Sequence, residues 1–114
     1  MSGEDSVLTW PKAPRFEKAA LIGRLQALLA GRVREAYLFG SYARGEATDE
    51  SDVDLMVVAP THLPWPERHR DFADVQRELG AVDLLVYSPD EWQDMTERGN
   101  DFIESARPDW VRLV

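Results

Sequence analysis

Between Tyr37 and Val58 the chain carries a pattern that restricts how it can fold. A short apolar segment ends at Phe39 and is followed directly by Gly40-Ser41. Ten residues later, Asp52-Val53-Asp54 opens a second segment whose latter half is almost continuously apolar. Because the connection is short, we expect the two segments to be antiparallel neighbours in a β-sheet. The glycine-serine turn then lies beside the two aspartates.

Hydrophobic spacing predicts alternating helices and strands along the rest of the chain. We predict helices over residues 16–30, 67–79 and 101–106, a further helix that starts at Ser88-Pro89, and strands over residues 33–39, 52–58, 82–87 and 110–114. The helix at 67–79 suits a crossover connection, so the strand at 82–87 should run parallel to the strand at 52–58. We therefore expect an α/β fold with a small mixed β-sheet flanked by helices.

Size and composition limit the domain organisation and the classes of function. The 114 residues suit one domain, which we place at residues 14–114 after a flexible N-terminal tail, residues 1–13. A formal net charge of −8 disfavours direct nucleic-acid binding, because phosphate contacts need a basic surface. The chain has no cysteine, which excludes disulfides, and no apolar run long enough to span a bilayer. We expect a cytoplasmic protein without membrane contact.

Three aspartates are candidate metal ligands. Asp52 and Asp54 alternate along a predicted strand, so they share a face, with Cα atoms roughly 6.5 to 7 Å apart. Asp83 opens the next strand, and the parallel arrangement brings it to the same end of the sheet. Mg²⁺ prefers oxygen ligands and often combines one or two carboxylates with substrate phosphates. The three acids together predict a magnesium site, although each alone is also typical of a solvated strand end.

Residues around the glycine-serine turn are candidates for phosphate binding. Gly40 lets the backbone approach a phosphate closely. Ser41 offers a hydroxyl, and free N–H groups if residues 40–46 form a helical turn. Arg44 is either a surface charge or a ligand of a phosphate oxygen. We predict Ser51 as a turn residue, and the alternative is that it contacts a phosphate.

These residues resemble the minimal nucleotidyltransferases, a branch of the superfamily whose catalytic core is like that of DNA polymerase β. The resemblance rests on Gly-Ser, ten residues, Asp-x-Asp and a later strand acid, together with the flanking sequences LFGSYARG and SDVDLMVV. It implies a polymerase β-like core in which Asp52 and Asp54 bind Mg²⁺ and Gly40-Ser41 holds a nucleoside triphosphate. It also implies that Asp83 completes the metal site or activates the attacking hydroxyl.

The resemblance further implies a reaction and a partner. Two Mg²⁺ ions, roughly 3.5 to 4 Å apart as in other two-metal sites, would assist transfer of AMP from ATP to a hydroxyl. Many such proteins act as antitoxins that add AMP to a tyrosine of a HEPN-domain toxin. A chain of this size has little room for an acceptor domain, so we expect a protein partner or a second copy of the chain to supply that surface.

Two alternatives stay open from the sequence. A small molecule such as an aminoglycoside could receive the nucleotide, although such enzymes usually need additional structure to hold it. The domain could also bind a partner without catalysis. Apolar residues share the strand faces of the acids and need a cover, which the chain's own helices or another protein could supply. Trp65 is a candidate for such a partner surface.

Overall fold

A four-stranded mixed sheet forms the centre of the fold in the computed structural model, which describes residues 13–114. The strands are β1 (Glu35–Phe39), β2 (Val53–Val58), β3 (Val82–Tyr87) and β4 (Val111–Arg112), in the order β3-β2-β1-β4. β2 pairs antiparallel with β1 and parallel with β3. The mixed sheet and both predicted pairings are confirmed. The predicted N-terminal tail lies outside the described residues except for Ala13.

Helices cover both faces of this sheet. They are α1 (Lys18–Leu29), α2 (Gly40–Arg44), a 3₁₀ helix (Trp65–Phe72), α3 (Ala73–Leu79), α4 (Pro89–Arg98) and α5 (Asp101–Ala106). α1 begins after the predicted residue 16, because the Glu17 carboxylate accepts hydrogen bonds from the first amides of the helix and thereby caps it. Within residues 13–114, none of the helices combines the length and the apolar character needed to cross a membrane.

Two hydrophobic clusters hold the sheet between the helices. The first unites α1, α3 and one face of the strands, with Leu21, Leu25, Leu29, Leu38, Leu55, Val57, Val75 and Leu79 among its buried members. The second, termed the aromatic face, has the buried members Tyr37, Met56, Val58, Tyr87, Trp92 and Ile103. α4 and α5 supply the last two of these. The chain's own helices therefore cover the apolar part of the sheet face that carries the acids.

The segment predicted as one helix over residues 67–79 is divided in the structure. Residues Trp65–Phe72 form the 3₁₀ helix, and only Ala73–Leu79 is α-helical, because Phe72 departs from α-helical geometry with φ −123° and ψ 24°. Arg32 holds this junction by donating to the Asp71 carbonyl at 2.9 Å. The prediction was wrong for residues 67–72 because this contact comes from a residue far away in the sequence. The predicted apolar positions of the segment are nevertheless buried.

Arg68 connects the 3₁₀ helix to the start of α4. Its guanidinium donates to the two carboxylate oxygens of Glu91 at 2.5 and 3.1 Å, and to the Val86 carbonyl of β3 at 3.2 Å. Glu91 also completes a capping box with Ser88, at the helix start that the sequence predicted. The hydrogen bond from Arg68 is the main reason that the pKa of Glu91 lies below its ordinary value, and the Ser88 amide acts in the same direction.

Replacing Glu91 with glutamine should lower the free energy of unfolding near neutral pH by up to about 1 kcal/mol, the range of a partly exposed ion pair. Glutamine can keep the capping hydrogen bonds but lacks the charge. Because the folded pKa of Glu91 is depressed, its contribution is complete above the unfolded pKa and disappears as the pH falls through the folded pKa.

Urea unfolding at about pH 7 and about pH 3, on either side of the ordinary glutamate pKa, should therefore separate Glu91→Gln from the wild type more at the higher pH than at the lower one. Ser88→Ala serves as the control. It removes the cap without removing a charge, so it should destabilise the protein by about 1 kcal/mol at both pH values. An equal effect of Glu91→Gln at both pH values would contradict the proposed role of this ion pair.

Candidate nucleotide and metal site

The central strand β2 places Asp54 between two neighbouring strands. In the register of the sheet, Asp54 lies opposite Asp83 of β3 and opposite Phe39, the last residue of β1. Side chains at paired positions stand on the same face of a sheet. Asp52 lies one residue before β2, so the alternation of an extended chain returns it to the face of Asp54. The structure therefore brings the three predicted acids to one end of the sheet.

Gly40 forms the wall of this site on the β1 side. Its φ of +74° lies in the left-handed region that favours glycine. A Cβ atom at this position would lie only 1.9 Å from Oδ2 of Asp54 and 2.8 Å from its Cγ. The backbone of the turn is thus in direct contact with the carboxylate, and only glycine permits this approach. The turn lies beside Asp54, as we predicted from the antiparallel pairing of β1 and β2.

Like charges and burial together disfavour the ionised form of Asp54. Burial first, and then the carboxylates of Asp83 and Asp52, raise the pKa of this half-buried carboxyl to about 6. The Arg44 guanidinium acts in the opposite direction. These four groups are therefore close enough to interact electrostatically. The site concentrates negative charge at the edge of the core, which is the condition that a bound cation relieves.

The donor set suits Mg²⁺, which binds oxygen atoms and often takes only one or two carboxylates beside phosphate oxygens. Among residues 13–114, no three acidic, histidine or cysteine side chains are clustered closely enough to hold a metal ion by themselves. Asp54 and Asp83 are direct neighbours across β2 and β3 and are the pair best placed to share an ion with a phosphate group. Asp52 is exposed at the rim of the same site.

Arg44 is the last residue of α2, and its charge acts on this region. Its Nε atom donates to a carboxylate oxygen of Glu46 at 2.9 Å, and this hydrogen bond is the main cause that raises the pKa of Arg44. The carboxylates of Asp109 and Asp54 act on Arg44 in the same direction. The exposed guanidinium therefore lies within electrostatic reach of Asp54, where it can meet a phosphate oxygen if it leaves Glu46.

The two serines of the prediction differ in their surroundings. Ser41 is the second residue of α2, so the structure has a short helix at Gly40–Arg44, where the sequence predicted either a loop or a single helical turn over residues 40–46. Its carbonyl accepts the Glu46 amide at 2.9 Å. Ser51 takes part in a turn, where its Oγ accepts the Thr48 amide at 2.8 Å and its own amide donates to the Thr48 carbonyl at 3.1 Å. Ser51 thereby positions the chain immediately before Asp52.

Sequence reasoning did not identify the aromatic ring that lies next to this site. The Phe102 ring of α5 packs edge to face on Phe39, with centroids 5.4 Å apart and an interplanar angle of 87°. Phe39 directly precedes Gly40, and its position near the acids could have been inferred from the sequence, because the antiparallel arrangement pairs its strand with the strand of the aspartates. No sequence pattern indicates the position of Phe102, because α5 reaches the site only through tertiary packing. The same is true of Asp109, which faces Arg44 from the far end of the chain.

The chain is similar to known proteins of one family. Residues 19–81, more than half of the chain, match the family model of the nucleotidyltransferase domain. The chain belongs to this family, and the sequence-based assignment to the nucleotidyltransferases is confirmed. The matched region contains the Gly40-Ser41 turn and both acids of the Asp52–Asp54 pair, and it ends two residues before Asp83.

Named relatives match over shorter stretches. The chain is 46% identical over 44 residues to a "Putative protein adenylyltransferase" of Methanocaldococcus jannaschii, which is 39% of this chain and 44% of that protein. It is 38% identical over 55 residues to "Protein adenylyltransferase MntA" of Thermococcus cleftensis, which is 48% of this chain and 42% of that protein. The matched stretches thus span less than half the length of these two relatives.

A solved structure is also similar to the chain. It is the crystal structure of a protein from Sulfolobus solfataricus, described as a "putative nucleotidyltransferase". The two chains align over 83% of this chain and 75% of the other, with 26% sequence identity and a TM-score of 0.49.

The contact between Gly40 and Asp54 can be measured by a double-mutant cycle. Gly40→Ala should destabilise the protein by more than the roughly 1–2 kcal/mol of left-handed backbone strain, because its Cβ collides with the carboxylate. Gly31→Ala is the matched control. Gly31 has φ +75°, and a Cβ atom added there would meet nothing within 4 Å, so this variant should show the backbone strain alone.

Combining Gly40→Ala with Asp54→Ala should recover most of the excess loss, since the colliding atoms are gone. Urea unfolding of the four proteins of the cycle provides the coupling free energy. Additive effects of the two substitutions would show that Gly40 and Asp54 are not in contact.

Proposed function

We propose that this chain catalyses Mg²⁺-dependent transfer of a nucleoside monophosphate, AMP from ATP, to a hydroxyl acceptor. The observation that carries the proposal is the contact between the Gly40 backbone and the Asp54 carboxylate, with Asp83 paired beside Asp54 and Asp52 close by. The turn that would bind phosphate groups is thereby next to the carboxylates that would bind a divalent cation. Membership of the nucleotidyltransferase family supports the same reaction.

The acidic residues would act as metal ligands. Asp52 and Asp54 would hold two Mg²⁺ ions jointly, and Asp83 would share one of them. Bound Mg²⁺ supplies charge neutralisation on the phosphates and makes the α-phosphorus more electrophilic. The unfavourable charge at Asp54, which burial and its two acidic neighbours cause, supports this role because a cation would remove it.

The order of the strands orients the two substrates. Gly40-Ser41 lies on the β1 side of Asp54, and Asp83 lies on the β3 side. An in-line displacement needs the nucleophile and the leaving group on opposite sides of the phosphorus. Pyrophosphate would therefore leave on the side of Gly40-Ser41 and Arg44, and the acceptor hydroxyl would approach from the side of Asp83.

The proposed chemical step is an in-line displacement at the α-phosphorus of the donor. The acceptor oxygen forms a bond to the α-phosphorus while the bond from this phosphorus to the bridging oxygen of pyrophosphate breaks. The Asp83 carboxylate takes the hydroxyl proton and later releases it to solvent, for which its exposure is suitable. The backbone at Gly40-Ser41 holds the departing phosphates, with Arg44 as the cationic partner. Ser51 would contribute by positioning Asp52.

The acceptor in this proposal is a tyrosine of a HEPN-type toxin, which the chain would silence as its antitoxin. The names of these two relatives describe transfer of an adenylyl group to protein, which supports a protein acceptor. The position of Asp83 supports it as well, because this residue is exposed on an edge strand. Near the other end of β3, Trp65 is 48% exposed and packs on Tyr87, which offers a surface for a partner or a second copy of the chain.

Asp54→Asn should reduce adenylyl transfer by at least about 10²-fold, the scale of losing one electrostatic stabiliser of a transition state. The fold should survive with undiminished stability, because the substitution removes a half-buried carboxylate that repels Asp83 and Asp52. Asp49→Asn, in the exposed acidic connection before β2, is the matched control and should keep full activity. Mass spectrometry of a HEPN-domain protein after incubation with ATP and Mg²⁺ measures the AMP adduct.

Full adenylyl-transfer activity of Asp54→Asn would overturn the assignment of Asp54 as a metal ligand. An aminoglycoside that gains AMP, with no adduct on the HEPN protein, would identify the acceptor as a small molecule. A wild-type chain that binds neither Mg²⁺ nor ATP in calorimetry would favour a partner-binding module without catalysis.

A further inference from the structure

Phe102 is held in place by the cap of α5. The side-chain oxygen of Asn100 accepts the Phe102 amide at 3.0 Å and the Ile103 amide at 3.2 Å. Ile103 is fully buried in the aromatic face and anchors the same helical turn. The backbone that carries Phe102 is therefore fixed by both a polar and an apolar contact, and the ring itself packs on Phe39.

The ring of Phe102 extends the aromatic face as far as the acids. It packs edge to face on Phe39, whose register partner on the same sheet face is Asp54. Both phenylalanines are half-buried, whereas Tyr37 and Trp92 deeper in the aromatic face are 5% and 7% exposed. The cluster therefore ends in an accessible aromatic surface next to the Asp54 carboxylate.

Strand order determines which substrate meets this surface. Phe39 belongs to β1, the strand that continues into the Gly40-Ser41 turn, whereas Asp83 belongs to β3 on the opposite side of Asp54. In the proposed reaction the acceptor approaches from the Asp83 side, so the phenylalanine pair lies on the side of the donor nucleotide. The base of the donor is joined through its ribose to the reacting α-phosphate and must lie to one side of the in-line axis.

We infer that Phe102, supported by Phe39, binds the nucleobase of the donor nucleotide through aromatic contact. This inference rests on the proposed nucleotidyl transfer and adds the residue that holds the base. Aromatic contacts of this kind are tolerant of base identity, because every base has a π-face. The pair would therefore contribute affinity for the base, and selection of adenine would require additional contacts.

Phe102→Leu tests the inference, with Phe102→Tyr as the variant that keeps a ring. Calorimetry measures the Kd of each protein for ATP and for inorganic tripolyphosphate, both with Mg²⁺. Loss of the ring should weaken ATP binding about 5- to 150-fold, from the range for base–aromatic contacts, and leave tripolyphosphate binding unchanged. Phe102→Tyr should bind ATP like the wild type. Phe16→Leu, a half-buried aromatic position against the other cluster, should change neither Kd.

The remaining outcomes are distinguishable. If Phe102→Leu weakens the binding of ATP and of tripolyphosphate equally and lowers the unfolding temperature, the ring has a structural role and the inference is overturned. Unchanged ATP binding with a higher KM for the acceptor would assign the ring to the other substrate and overturn it as well. If the wild type binds tripolyphosphate and Phe102→Leu has no effect on ATP, the inference fails while the proposed function stays intact. If the wild type binds neither ligand, the proposed function fails and this inference fails with it.

Discussion

The contact of the Gly40 backbone with the Asp54 carboxylate is the constraint on which the rest of the structure depends. It requires β1 and β2 to pair with one register, since a shift by one residue would turn Asp54 to the other face of the sheet. It also requires a left-handed residue without a side chain at the end of β1. The site is therefore a direct product of the strand pairing, and the turn and the acids cannot be displaced separately.

Burial of β2 provides the stability that this arrangement needs. Val53, Leu55, Met56, Val57 and Val58 are each at most 1% exposed, and burying one such side chain contributes roughly 1.5–3 kcal/mol. Asp54 interrupts this run at a position where burial and two like charges oppose its ionisation. A central strand covered on both faces can accommodate one such residue, because its other side chains fix the backbone regardless of the charge.

Much of this arrangement could be predicted from the sequence because it depends on short-range rules. Alternation along a strand placed Asp52 and Asp54 on one face, and the lengths of the connections made β1 antiparallel and β3 parallel to β2. These two rules placed Asp83 beside Asp54, and the prediction required no knowledge of the side-chain packing. The capping box at Ser88 is equally local, and the helix it starts was found at the expected residue.

The errors and omissions arise where distant parts of the chain meet. The 3₁₀ winding of Trp65–Phe72 accompanies long-range contacts of Arg32 and Arg68 with carbonyl groups and carboxylates of other segments. The Phe102 ring reaches Phe39 because α5 packs on the aromatic face, which no local pattern of residues 101–106 encodes. The positions of the metal ions, the nucleotide and the acceptor stay predictions from the carboxylates, the turn and the family.

The exposure of Asp83 on the edge strand has a consequence for competition with water. A carboxylate that is open to a large acceptor is equally open to solvent, and water carries a hydroxyl that could attack the same phosphorus. Active sites commonly avoid such hydrolysis by closing over the reactants and expelling water. In the proposed reaction the aromatic face would cover the donor side, whereas the acceptor side would be open. The docked acceptor itself would then act as the lid, so that productive transfer and protection of the nucleotide would begin with the same binding event.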